Sequence, residues 1–99
     1  MAIEHWRHLW IRAPRLARYT FSWDIIRRNS FVVVTAAEGR ISAQSPERFM
    51  GAAKPIIVGN IAAQDGFVEF TLHWVGDFPY LDIWTDITVF DPNDPSGQN

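Results

Sequence analysis

His73 and Asp82, and Glu69 and Asp86, are the two pairs in this sequence with the chemistry for proton transfer. A carboxylate beside an imidazole raises its pKa and fixes the ring, which makes an acid–base pair. Two carboxylates held close oppose joint ionisation, so one keeps a proton or both share a cation. Tyr80 and Trp84 add flat stacking surfaces of the kind that sugars and planar ligands use. Thr71 and Asn60 add hydrogen-bonding groups.

What would bring these residues together is alternation. From Phe67 to Val75, and again from Tyr80 to Phe90, apolar and polar residues alternate. Successive side chains of a strand point to opposite sides. One side collects Val68, Phe70, Leu72, Trp74, Leu81, Ile83, Ile87 and Val89, which with Phe21 and Trp23 form the expected core. The other collects Glu69, Thr71, His73, Tyr80, Asp82, Trp84, Asp86 and Thr88. With Gly76–Pro79 as the turn, His73 faces Asp82, Thr71 faces Trp84 and Glu69 faces Asp86. A turn over Ala63–Gly66 sets Asn60 beside Glu69. The expected ligand-binding surface is therefore Asn60, Glu69, Thr71, His73, Tyr80, Asp82, Trp84 and Asp86. The plainer alternative is the wet face of an antiparallel sheet, which carries the same polar types. Exposed aromatics on such a face need cover from another element or another chain.

The remaining elements read as follows. Residues 3–12 fit either a helix, with Trp6, Leu9 and Trp10 in phase, or a strand. Tyr19 to Ile25 alternates as a strand, and the β-branched run Phe31–Thr35 is its expected hairpin partner across Arg27–Ser30. Ser45-Pro46-Glu47 has the cap, first-turn proline and acid of a short helical turn ending near Gly51. Residues 56–61, 67–75 and 80–90 are expected to form a C-terminal three-stranded meander. The fold class is all-β, a small antiparallel sandwich or barrel. A two-layer α+β arrangement follows instead if the N-terminal segment is helical. Residues 1–90 make one globular domain, and 91–99, with two prolines and no large apolar residue, make a flexible tail.

The chain has 99 residues, five Trp, seven Phe and no Cys. Absence of cysteine excludes disulfides, thiolate metal sites and a cysteine nucleophile, and suits the cytoplasm. No apolar run reaches the ~20 residues that span a bilayer. The arginines of residues 1–18 have the composition of a transit peptide, but Pro14 and the aromatics suit a folded segment. Residues 1–40 carry seven arginines against Glu4, Asp24 and Glu38, whereas residues 41–99 are acidic. The halves are expected to complement each other within one chain or between two.

His5 and His8 share a helical face but would point apart on a strand, and they have no third ligand nearby. No phosphate loop, nucleophile elbow or zinc-protease motif is present. No cofactor, metal, nucleic acid or membrane is expected; the expected partners are a second copy, as a homodimer, and a small-molecule ligand. The chain reads as a small non-enzymatic ligand-binding or protein-interaction module using an aromatic and acidic sheet face. The alternatives are a small enzyme using His73 with Asp82, or Glu69 with Asp86, and an oligomeric assembly protein. No catalytic residue is assigned.

Overall fold

The computed structural model describes residues 3–41, 46–49 and 56–90. These residues hold β1 (Ile3–Pro14), β2 (Leu16–Ser22), β3 (Phe31–Ile41), β4 (Pro46–Phe49), β5 (Ile56–Gln64), β6 (Phe67–Trp74) and β7 (Tyr80–Phe90). They form a four-stranded sheet in the order β1-β7-β3-β4 and a three-stranded sheet in the order β2-β6-β5. Every pairing is antiparallel. The chain is all-β, and among the described residues no helix is long and apolar enough to cross a membrane.

The two sheets cover each other's apolar faces. Phe21, Val68, Phe70, Leu72 and Trp74 come from the three-stranded layer, and Val32, Val34, Ile83, Ile87 and Val89 from the four-stranded one. Each set follows the period of two that a half-buried strand imposes. The expected core residues are all in or against the observed core, Trp23 and Leu81 partly buried at its margin, and Ala13, Ile26, Val32 and Val34 join them.

Residues 3–12 take the strand alternative, so the α+β arrangement does not hold. Pairing departs from expectation in two places. The segments expected as a hairpin at 19–25 and 31–35 lie in different sheets. So do β6 and β7, and the three-stranded meander reduces to the β5–β6 hairpin. The physical reason is shared. A strand pair in one layer leaves its apolar face bare, whereas crossing to the other layer lets the two apolar faces bury each other.

Each crossing is tied down. Trp23 N–H donates to the Gly66 carbonyl at 2.9 Å and Gly66 N–H to the Ile26 carbonyl at 2.8 Å, with Ile26 fully buried beneath. Arg15 N–H donates to the Pro79 carbonyl at 3.1 Å, Trp74 N–H to the Arg15 carbonyl at 3.2 Å, and the Trp74 indole to the Phe78 carbonyl at 2.9 Å. The β5–β6 turn is also shorter than expected. Gln64 pairs with Phe67, which places Ala62, not Asn60, opposite Glu69. Of the expected helical turn, Pro46–Phe49 is β4, paired with Glu38–Ile41, and the rest lies outside the described residues, as does the tail 91–99.

Candidate functional site

The eight expected residues divide between the two outer surfaces of the sandwich. Glu69, Thr71 and His73 alternate with the buried residues of β6 and face outward from the three-stranded sheet. Tyr80, Asp82, Trp84 and Asp86 take the outward positions of β7 in the four-stranded sheet. His73 therefore does not face Asp82, and Glu69 does not face Asp86. The neighbours of His73 are Leu16 and Ile57, and those of Glu69 are Thr20 and Ala62. The Arg18 guanidinium stands 3.9 Å from Glu69 Oε2. Thr71 lies between Arg18 and Gly59. Asn60 sits at φ 52 where the β5 register shifts, a conformation asparagine adopts more readily than most residues.

On the four-stranded side, Asp86 is the centre of a fixed charge cluster. Its neighbours across β1 and β3 are Arg7 and Thr35. Arg7 Nε donates to Oδ1 at 2.7 Å and Nη2 to Oδ2 at 3.2 Å. His5 Nε2 donates to Oδ1 at 2.9 Å, and Arg48 from β4 donates to Oδ2. Burial alone would raise the Asp86 pKa; the hydrogen bonds from Arg7 and His5 and the charges of Arg48 and Arg7 outweigh it and hold the carboxyl below the ordinary range. The Arg7 guanidinium is in turn held more strongly protonated by its hydrogen bond to Asp86. A carboxylate with both oxygens so engaged is a structural anion and a poor proton acceptor.

Beside it, Trp84 is only 6% exposed although it faces outward. Gly39 makes this fit: a β-carbon there would stand 1.6 Å from Trp84 Cδ1. The indole thus lies against the β3 backbone at Gly39. Asp82 accepts the backbone N–H of Arg12 at 2.9 Å, where β1 bulges and Arg12 takes φ 54. The Arg12 guanidinium lies 4.7 Å from the Tyr80 ring centroid, a cation–π contact.

The charge halves meet within the chain. Arg7 pairs with Asp86, Arg18 with Glu69 and Arg28 with Asp65.

The most concentrated aromatic surface lies elsewhere, between β1 and β2. In β1 the inward positions are Glu4, Trp6, His8 and Trp10, opposite Val89, Ile87, Thr85 and Ile83. In β2 they include Tyr19 and Phe21, opposite Phe70 and Val68, and Trp23 follows just beyond the strand. Along this side the layers meet ring to ring. Trp6 lies 6.1 Å from Phe21 and 5.5 Å from Trp23; His8 lies 5.5 Å from Phe21 and 4.4 Å from Trp10; Trp10 lies 4.6 Å from Tyr19, all between centroids. The Trp10 indole donates to the buried Thr85 hydroxyl at 2.9 Å, which donates onward to the His8 carbonyl at 3.3 Å. Burial lowers the His8 pKa and favours its neutral form. Trp6, at the outer end of this seam, is 49% exposed.

Sequence reasoning placed none of these β1 side chains at a site. The signal was present in the period-two run Trp6, His8, Trp10, but Leu9 beside Trp10 gives the same segment a helical phase. His5 and His8 point to opposite sides of β1, and among the described residues no three His, Asp or Glu side chains group as a metal site requires. Glu38 is buried on the inner face opposite Ile83, and its Oε2 has no hydrogen-bond partner among the described residues. No family model, curated protein or solved structure matches the chain.

Proposed function

We propose that this chain is a small non-enzymatic interaction module that self-associates, most simply as a twofold dimer. The observation that supports this reading is Trp6, a half-exposed indole on an edge strand, packed on Phe21 and Trp23. Trp offers large contact area at little entropy cost, and it recurs among the residues that dominate binding energy. Ile3 and Ile11 on β1 and Leu16 on β2 are exposed as well.

Proton-transfer chemistry has less support. The residues of both candidate pairs stand on opposite layers, and Asp86 is committed to Arg7, Arg48 and His5. A small planar ligand stacked on Trp6 is the second occupant this indole suits. We place the module in the cytoplasm, with which a chain lacking cysteine is compatible.

Sedimentation velocity over a concentration series tests the reading. A concentration-dependent dimer supports it, and a monomer persisting at high micromolar concentration overturns it.

A further inference from the structure

Four strands lie at sheet edges, and they differ in how well they are guarded. β4 is four residues long and begins at Pro46. β5 is broken by its register shift between Gly59 and Ala62. Short strands, prolines and bulges all discourage edge pairing. β1 has its bulge beyond Trp10, but from Ile3 to Trp10 it runs in unbroken register with β7. Among the described residues nothing pairs with its other edge. β2 is also unbroken but contains no acid. An antiparallel β2 pair would set Arg18 against Arg18, or against uncharged residues.

The side chains of β1 favour one self-pairing. A twofold axis perpendicular to the sheet keeps inner faces together, so inward residues must meet inward residues. Placing Trp6 opposite Trp6 of a second copy sets Glu4 opposite His8 and Ile3 opposite Leu9. The two indoles meet on the inner face, a carboxylate meets an imidazole, and an aliphatic pair meets on the outer face; each is a favourable cross-strand combination. His5 then meets Arg7 of the copy, but each already lies on its own Asp86. Sliding the copies by two residues one way sets Arg7 against Arg7. Sliding them the other way sets His5 against His5 and Trp6 against Glu4.

We propose that two copies join through β1 in antiparallel register, Trp6 against Trp6, and extend the four-stranded sheet across the dimer axis. The proposal rests on the self-association reading above and names its surface. The contact covers the exposed Trp6 indole and supplies partners for edge backbone groups of Ile3–Leu9.

The chain has no native cysteine, so single cysteines report the register directly. Facing residues of an antiparallel pair have Cα atoms about 4.5–5.5 Å apart, a span a disulfide bridges. Under mild oxidation Trp6→Cys should link to itself. Ile3→Cys and Leu9→Cys should link to each other when mixed and remain unlinked when alone. Thr20→Cys on the exposed outer face of β2 should stay unlinked. The mixed pair keeps the test valid should loss of Trp6 disturb the seam. A dimer by sedimentation in which Ile3→Cys and Leu9→Cys do not link overturns the β1 assignment and leaves self-association standing. A monomer at high micromolar concentration overturns both.

Discussion

Trp84 occupies the space a side chain at position 39 would need: a β-carbon on Gly39 would come within 1.6 Å of its Cδ1. Gly39→Ala should therefore destabilise the fold by about 1–3 kcal/mol, the cost of forcing a packed side chain aside. Gly59→Ala, where a β-carbon meets nothing within 4 Å, is the control. Urea midpoints of the two variants measure the difference.

Asp86 anchors β1 and β4 to β7, and its charge state sets a pH dependence. Its folded-state pKa lies below the unfolded value, so its contribution is complete at neutral pH. The contribution is lost as pH falls below the unfolded value of about 3.9 and through the folded one. Asp86→Asn should cost about 1–3 kcal/mol at pH 7, moderated because Arg7 and His5 are partly solvated. The gap between variant and wild type should narrow in acid. Equal midpoints at pH 7 would show that the cluster adds no stability.

His8 acts in the same direction at higher pH. Burial in the aromatic seam lowers its pKa, so the unfolded chain takes up a proton first. Stability should fall as pH drops through about 6.5, the unfolded value, and level off once the folded-state pKa is passed. His8→Phe keeps a ring between Trp10 and Phe21 and should flatten that slope. Thermal midpoints between pH 5 and 8 test this. An unaltered slope in the variant would assign it to other groups.

Phe70 and Thr71 are neighbours on opposite sides of β6, one buried and the other facing solvent beside Arg18. Phe70→Ala should cost about 3–5 kcal/mol, and Thr71→Ala less than about 0.5 kcal/mol. Denaturation midpoints that reversed this order would mean the strand is turned over.

The sequence displays faces more clearly than partners. Val68, Phe70, Leu72, Ile83, Ile87 and Val89 were legible as core because alternation depends only on neighbours in the chain. The pairing of Ile3 with Phe90 and of Phe31 with Phe90 leaves no local trace, since those residues are distant in sequence. The turn at Gly76–Pro79 has the composition of a hairpin, yet hydrogen bonds from Arg15 and Trp74 carry it between layers. That one difference separates His73 from Asp82 and Glu69 from Asp86. Trp84 is buried although it faces outward, and its contact with Gly39 depends on a strand partner that the local sequence does not show.

β7 lies between β1 and β3, and this fixes an order of events during synthesis. β1 is made before β3, yet the strand that joins them is the last of the seven. Until Tyr80–Phe90 has left the ribosome, β1 and β3 have no strand between them and the β5–β6 hairpin has no layer to cover it. Folding must then wait for a long loop to close, which makes it slow for a chain of this size. Through that interval the aromatic residues of β1 and β2 stand open to water and to neighbouring nascent chains. A stalled or shortened message that loses β7 removes the central strand of one sheet, and the product would be a substrate for chaperones and proteases.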